Sequence, residues 1–155
     1  MAIGSEIFDA GNSKTFHEGL PVYLRGLLGE EWIKKDLEKE LLLRHPILQW
    51  QNAMIACRGD NIQCPGKANT VSNRGEISAL LNLSYNLYLM AHNSELQEKL
   101  IRRLKDPNQF LGAHYELQVA AFCIQAGFEI TLEDEDDPNS THCEFTATNI
   151  KSGRK

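Results

Sequence analysis

The chain has 155 residues, of which 42% are hydrophobic and 24% are charged, and these values are ordinary for a globular protein. Its formal net charge of -5 argues against non-specific coating of nucleic acid, because phosphate binding relies on clustered Lys and Arg. The sequence has no apolar run near the roughly 18 residues of a membrane span. Its first residues have no basic and apolar pattern of a signal peptide, so we expect none. We therefore expect a cytoplasmic protein without membrane contact.

The first half of the chain is predicted to be helical after a short tail. Residues 1–18 are polar and rich in Gly, Ser and Asn, which predicts a loosely ordered tail. A helical region is expected over residues 19–105, beginning near Pro21, and it carries one apolar stripe at helical spacing. This stripe is Ile33, Leu37 and Leu41. Pro46 predicts a break before a short helix, and the Gly-, Pro- and Asn-rich residues 57–75 predict a loop.

Two further helices are predicted before residue 106. The segment "EISALLNLSYNLYLMAH" is apolar nearly all round, which indicates a buried core helix. The following "SELQ" has the form of a capping box, with Ser94 as the N-cap and Gln97 reaching back to it. The expected inner stripe of this helix is Leu96, Leu100 and Leu104. The cations at its end are Arg102, Arg103 and Lys105. They favour interaction with the helix dipole, and the alternative is contact with a phosphate.

The last predicted helix begins at Asp106-Pro107 and ends at Gly127, since these residues are typical of helix termini. At about 100° per residue it carries two apolar stripes. One stripe is Phe110, Ala113, Leu117, Ala121 and Ile124. The other is Leu111, Tyr115, Val119, Phe122 and Ala126. Glu116 is the only acidic residue of this helix and falls in a gap between the stripes among small residues. Its carboxylate is therefore expected either at the solvent edge or toward a site.

Two strands are predicted after this helix. The segments "GFEITLE" and "HCEFTAT" alternate between apolar and polar residues, a pattern typical of half-buried strands, and an acidic polar loop joins them. Glu144 lies in the second strand and shares a face with Thr146 and Thr148. Strand interiors are depleted in Glu, so Glu144 indicates either an exposed sheet face or a site. Gly153 predicts a tight turn after the second strand.

The segments "YELQVAAF", "AGFEI" and "HCEFTAT", followed by the turn, resemble the start of the PD-(D/E)XK nuclease superfamily, which has the restriction-endonuclease-like fold. The resemblance covers residues 108–155. It implies that a helix Glu assists a metal site and that the second-strand acid binds a divalent cation, roles that fall on Glu116 and Glu144. The family more often has Asp at the second of these positions. No (D/E)-x-K pair follows Glu144, so the resemblance implies an incomplete core.

We therefore expect an α+β, mainly α-helical chain, in which residues 106–155 form a helix and a short β-hairpin that resemble a restriction-endonuclease-like core truncated before its third strand. The resemblance implies the N-terminal fragment of a metal-dependent DNA nuclease that is inactive by itself. It implies Mg²⁺ or Mn²⁺ only for a complete site, and no cofactor for folding. The alternative is a non-catalytic helical protein-interaction module. The unpaired edge of the second strand predicts a homodimer through residues 142–150.

Overall fold

The computed structural model describes residues 2–3, 6–7, 15–61, 74–132, 145–149 and 152–153. These residues form six α-helices and short antiparallel strands, which confirms the expected α+β, mainly α-helical class. The chain divides into two compact units, residues 7–85 and residues 86–155, the second of which also includes residues 2–6. The boundary expected between residues 105 and 106 falls inside the second unit.

The first unit consists of helices joined by short connections. Its helices are α1 (Phe16–Leu28), α2 (Glu30–Leu37), α3 (Pro46–Asn61) and most of α4 (Gly75–Leu89), with a 3-10 turn at Leu41–Leu43 between α2 and α3. The division between the units falls within α4. The buried apolar side chains of this unit come from all four helices. They are Leu20, Tyr23, Leu24, Leu28, Ile33, Ile47, Leu48, Cys57, Leu80 and Leu83.

The second unit packs helices against a β-hairpin. It contains a 3-10 turn at Met90–His92, α5 (Ser94–Leu104), α6 (Phe110–Gln125), β3 (Phe128–Leu132) and β4 (Phe145–Asn149). Two short strands near the start of the chain, β1 (Ala2–Ile3) and β2 (Glu6–Ile7), form a minimal sheet. The larger buried side chains of this unit are Leu87, Met90, Leu96, Leu100, Ile101, Leu104, Phe110, Leu117 and Ile130.

Helix α1 begins five residues before Pro21, the position where the sequence was expected to become helical. Thr15 and Glu18 form a capping box, in which the Thr15 hydroxyl accepts from the Glu18 amide and the Glu18 carboxylate accepts from the Thr15 amide. This box satisfies amides that would otherwise have no partner at a helix start. Pro21 lies inside the helix and is buried. The end of the expected tail, from Phe16 onward, is therefore helical.

The stripe expected after α1 is only partly buried. Ile33 is buried, but Leu37 and Leu41 are each 43% exposed, so the stripe does not form one buried helix face. Helix α2 ends at Leu37, and the helical periodicity therefore does not continue to Leu41 in the 3-10 turn. Helix α3 begins at Pro46, as expected, but it continues to Asn61 and so includes the first residues of the predicted loop. Residues 62–73 of that loop lie outside the described part of the chain.

Helix α5 is capped by Asn93 and not by Ser94. The Asn93 Oδ1 accepts from the Leu96 amide at 3.2 Å, and its Nδ2 donates to the Ile130 carbonyl at 3.1 Å. The predicted Ser94–Gln97 capping box is therefore wrong, since Gln97 is buried and its Nε2 donates to the Leu87 carbonyl at 2.7 Å. The predicted inner stripe is confirmed, because Leu96, Leu100 and Leu104 are all buried.

Helix α6 begins at Phe110, later than Asp106-Pro107. Asp106 instead stabilises the turn before the helix, where its carboxylate accepts from the Asn108 amide at 2.9 Å and from the Gln109 side chain at 2.8 Å. The predicted end is confirmed. Gly127 has a φ of +81°, a left-handed conformation that glycine adopts without the strain of a Cβ, and its amide donates to the Ile124 carbonyl at 2.9 Å.

The two strands form the antiparallel pair that the alternation predicts. Ile130 of β3 lies opposite Ala147 of β4 in this register. Ile130 is buried and Glu129 and Thr131 are exposed, so the assignment of faces in β3 is confirmed. Within the described residues β4 has β3 as its neighbour, and the dimer through residues 142–150 stays a prediction. The predicted turn after β4 is present, since Gly153 has a φ of +65° and donates to the Asn149 carbonyl.

Candidate functional site

Of the two residues of the predicted metal site, Glu116 and Glu144, the structure describes only Glu116. Glu144 lies outside the described residues. Glu116 lies on α6, where its two carboxylate oxygens accept from the guanidinium of Arg103 on α5, at 2.5 and 2.8 Å. Among the residues that the structure describes, no group of three His, Cys, Asp or Glu is placed to hold a metal ion. Within the described residues, Glu116 therefore forms an ion pair with Arg103, and the magnesium site stays a prediction.

The pair between Arg103 and Glu116 joins α5 to α6. The two side chains are 23% and 21% exposed, and the fork of the guanidinium matches the carboxylate with two parallel hydrogen bonds. The sequence pattern assigned Arg103 to the helix dipole or to a phosphate, since a pair thirteen positions apart lies outside the i,i+4 rule for one helix. The only signal in the sequence was a lone acid on α6 after a cluster of cations on α5.

A double-mutant cycle measures this pair. Replacing Arg103→Met and Glu116→Gln, singly and together, is expected to give a coupling energy of about 1 kcal/mol, because the pair is partly shielded from water and bidentate. Urea unfolding followed by far-UV circular dichroism gives the four free energies of unfolding. Arg102 is exposed on the same helix, so Arg102→Met combined with Glu116→Gln is the matched control and should show no coupling. Equal coupling in both cycles would contradict the assignment.

Gly112 lies beside this pair and is a position where alanine fits. A Cβ built on Gly112 would lie 3.8 Å from Arg103 Nη2 and 4.0 Å from Glu116 Oε1, which are ordinary van der Waals distances. Because glycine inside a helix costs conformational entropy, Gly112→Ala is expected to raise the free energy of unfolding by about 0.5–1 kcal/mol. Thermal unfolding checks this value. Gly127→Ala is the contrasting control and should destabilise the chain, since the φ of Gly127 is +81° and alanine is strained there. A destabilised Gly112→Ala would contradict the geometry.

Helix α6 is apolar on two opposite faces. The face toward the protein is closely packed, and its buried residues are Phe110, Ala113, Leu117, Ala120 and Ala121. The opposite face carries large apolar side chains in solvent, with Leu111 78% exposed, Tyr115 67% exposed and Phe122 71% exposed. A helix that is apolar all round is normally buried on all sides. The packing of the described residues therefore does not explain why the outward face of α6 is apolar.

We call Leu111, Tyr115, Gln118 and Phe122 the outer stripe. At about 100° per residue these four positions fall within roughly 60° of one another, and they extend over about 16 Å of helix. None of the four side chains is charged. Glu116, the one acid of α6, lies on the flank and is paired with Arg103. The sequence predicted two apolar stripes on this helix, but periodicity alone does not say which of the two faces the core.

A second exposed apolar surface lies in the first unit, at the 3-10 turn Leu41–Leu43. We call these three residues the leucine turn. Arg44 fixes the chain before this turn, since its Nε donates to the Lys39 carbonyl and its Nη2 to the Leu37 carbonyl, each at 2.9 Å. The Gln49 side chain also donates to the Arg44 carbonyl at 2.8 Å. The exposed fractions are Leu41 43%, Leu42 86% and Leu43 70%.

A buried polar cluster joins α2 to α3 in the first unit. Asp36 is buried, and its carboxylate accepts from the His45 amide at 2.7 Å and from the Lys39 ammonium. His45 is also buried, and its ring meets the Trp32 ring edge-on with the centroids 5.2 Å apart. Burial acts to raise the pKa of Asp36, but the hydrogen bonds from Lys39 and His45 outweigh it, so this pKa is lowered.

The surroundings of two histidines lower the pKa values of their imidazoles. Burial lowers the pKa of His45 below its ordinary 6.5, and the nearby Asp36 carboxylate opposes this effect only in part. Burial also lowers the pKa of His114, whose ring stacks on Phe110 with the centroids 5.7 Å apart. The physical cause in both cases is that an imidazolium loses its hydration in an apolar environment.

These histidines predict a pH dependence of stability. Near pH 6.5 the unfolded chain takes up protons that the folded chain does not, because both folded pKa values are lower. The unfolded state then binds more protons, so the free energy of unfolding falls as the pH drops from about 6.5 toward the lower folded pKa values. Urea unfolding at several pH values checks this trend. A His45→Gln and His114→Gln double variant should show a flatter profile, and an equally steep one would contradict the assignment.

Comparison with known proteins gives no family for this chain, since no protein-family model, curated protein or solved structure showed a significant match. None of the described helices combines the length and the hydrophobicity that a membrane crossing requires. The candidate site therefore depends on the geometry alone, and the outer stripe of α6 and the leucine turn are the exposed apolar surfaces from which it is argued.

Proposed function

We propose that this chain is a helical protein-interaction module that binds another polypeptide through the outer stripe of α6. The observation that carries the proposal is the exposure of Leu111, Tyr115 and Phe122 on a single uncharged helix face. Contiguous exposed apolar patches are uncommon on monomeric proteins and are typical of interaction sites. Aromatic residues are also enriched among the residues that dominate binding energy at interfaces.

The free energy of burying the outer stripe is consistent with a larger interface that has the stripe at its centre. Burial of a large apolar side chain is worth roughly 1.5–3 kcal/mol, so covering the exposed parts of three such side chains contributes roughly 3–6 kcal/mol. Association itself costs at least about 4 kcal/mol in lost translational and rotational freedom. The stripe alone therefore does not give tight binding, and a partner must also contact the residues around it.

The leucine turn supports the same class of function from the first unit. The three consecutive residues expose apolar surface to water, and contiguous exposed apolar surface is typical of interaction sites. The hydrogen bonds from Arg44 to the Lys39 and Leu37 carbonyls fix the neighbouring backbone before any partner arrives. Less ordering entropy is then lost on binding, and affinity rises for the same contacts.

The nuclease function stays a prediction from the sequence. It would require the Glu116 carboxylate to coordinate a divalent cation, and both oxygens of that carboxylate now accept hydrogen bonds from Arg103. It would also require Glu144, which lies outside the described residues. DNA as the substrate is part of the same prediction. The interaction module is the better supported proposal because its residues are described and their exposure is a property of this chain.

The proposal is tested by site-specific photo-crosslinking in the cells that produce the protein. With a benzophenone amino acid at Phe122, we expect a crosslinked product of defined mass, and the same partner should be captured from Tyr115. The matched control position is Glu98, which is exposed on α5 and should give no such product. Leu111→Glu in the same chain should abolish the product from position 122. No product from either stripe position, or the same product from Glu98, would contradict the proposal.

A further inference from the structure

We infer that the partner of the outer stripe is a second copy of this chain, bound through α6 against α6 in antiparallel orientation about a twofold axis. This inference rests on the proposed function, because it names the polypeptide that covers the stripe. Three properties of the stripe carry it: the spacing of its residues, the absence of charge on it, and the chemistry of the residues that the twofold axis would bring together.

The spacing of the outer stripe is the same when it is read in either direction. Leu111, Tyr115, Gln118 and Phe122 are separated by four, three and four positions, the spacing with which helices interlock in coiled-coil packing. A twofold axis that passes between positions 116 and 117 therefore places residues 111 and 122 of the two copies opposite each other. It likewise places residue 115 of one copy opposite residue 118 of the other. A closed, isologous dimer needs this self-complementarity.

The residue pairs that this axis brings together are chemically compatible. Leu111 would pack against Phe122 of the second copy at both ends of the contact, which joins a branched aliphatic side chain to an aromatic ring. At the centre, the Tyr115 hydroxyl would lie near the side-chain amide of Gln118 of the second copy. Because that amide both donates and accepts, it provides a partner for the hydroxyl when the interface excludes water.

The charge distribution favours self-association over a charged partner. The chain has a net charge of -5, so two copies repel each other wherever their acidic surfaces meet. The outer stripe carries no charge, and the flanking Glu116 is neutralised by Arg103. Two identical stripes can therefore meet without juxtaposing like charges. A partner that relied on charged side chains would find no complementary charge on the stripe.

The size of the contact predicts a weak dimer. A pair of helices that meet over about three turns covers less than the roughly 800 Å² per partner of a standard stable interface. We therefore expect a dissociation constant on the order of 10–100 µM. The dimer should form at high protein concentration and dissociate on dilution. The average mass should therefore rise from 17.5 kDa toward twice that value as the protein concentration increases.

Sedimentation equilibrium over a concentration series tests this inference with a charge exchange. Phe122→Glu and Leu111→Lys each place a charge on the stripe, and each variant alone should weaken dimerisation at least tenfold. An equimolar mixture of the two should restore a dimer, because the twofold axis places position 122 of one chain opposite position 111 of the other. Glu98→Lys on α5 is the control and should dimerise like the unchanged chain. Circular dichroism of each variant verifies that it is folded.

The outcomes separate this inference from the proposed function. A chain that stays monomeric at several hundred µM overturns the self-association. If Phe122 then crosslinks to a different polypeptide, the interaction module stands, and if it crosslinks to nothing, both fail. A dimer that persists in Phe122→Glu overturns the assignment to α6 and favours another surface, such as the strand edge at residues 142–150. Failure of the mixture to restore a dimer overturns the antiparallel register.

Discussion

Asp36→Ala is expected to lower the free energy of unfolding of the first unit by about 2–4 kcal/mol. The Asp36 carboxylate is buried between α2 and α3 and accepts from the buried His45 amide at 2.7 Å. Alanine would leave that amide without its acceptor, and an unsatisfied buried donor costs about 1–3 kcal/mol. The variant also loses the hydrogen bond from Lys39 and leaves a cavity, which adds to the cost.

Two further variants separate the contributions at Asp36. Lys39 is 46% exposed in its side chain, so Lys39→Ala should cost less than about 1 kcal/mol because water screens the ion pair. Asp36→Asn keeps an oxygen that accepts from the His45 amide. Its loss in free energy of unfolding should therefore lie between those of Lys39→Ala and Asp36→Ala. Both tryptophans of the chain, Trp32 and Trp50, lie in the first unit, so fluorescence-detected urea unfolding reports on it. Equal losses in free energy of unfolding for Lys39→Ala and Asp36→Ala would contradict this account.

Leu117→Ala is expected to destabilise the second unit by about 2–5 kcal/mol, and Phe122→Ala on the same helix by less than about 0.5 kcal/mol. Leu117 is fully buried on α6, a helix that contacts α5 and β3, whereas Phe122 is 71% exposed. Removal of a buried leucine loses transfer free energy and leaves a cavity. Removal of an exposed ring at a helix surface loses little, and alanine has the higher helix propensity.

The two variants of α6 form a matched pair, since both truncate large apolar residues in the same helix. Far-UV circular dichroism during thermal unfolding measures both, at a protein concentration low enough to keep the chain monomeric. Comparable destabilisation by the two changes would mean that the outer stripe is packed in the single chain. That result would remove the observation on which the proposed function depends.

The sequence predicts well those parts of the second unit that local chemistry determines. The alternation in "GFEITLE" is sufficient to assign the faces of β3, because a strand has a period of two and one apolar face. Helices often end at a glycine in the left-handed conformation, and this rule alone predicts that α6 ends at Gly127. The leucine spacing in α5 is sufficient to identify its buried stripe, since the other face of that helix is strongly polar.

The failures of sequence reasoning have specific physical causes. Thr15 and Glu18 carry the capping-box signal, but the prediction placed the start of the helical region near Pro21 and did not consider the box. Asn93 and Ser94 are both good N-cap residues, and the bond from Asn93 to the Ile130 carbonyl is a tertiary contact that a local motif does not contain. Leu41 was included in the apolar stripe because a period of 3.6 was extended beyond the end of α2.

The candidate site was the least predictable part of the chain. Two apolar stripes on α6 look alike in a list of residue types, and only the packing of α5 and the hairpin selects Leu117 for the interior and leaves Phe122 outside. The pairing of Arg103 with Glu116 depends in the same way on how two helices are placed. Sequence patterns of one helix contain no information on either choice, which is why Glu116 was assigned to a metal site through a resemblance.

Hydroxyl-radical footprinting of the dilute, monomeric chain tests the central claim most directly. It compares the oxidation rates of Tyr115 and Phe122 with that of Tyr23, which is buried in α1. We predict that Tyr115 and Phe122 are oxidised much faster than Tyr23, at the rate expected for side chains in contact with water. Protection of Tyr115 and Phe122 to the level of Tyr23 would contradict the account, because the outer stripe would then be covered within the single chain.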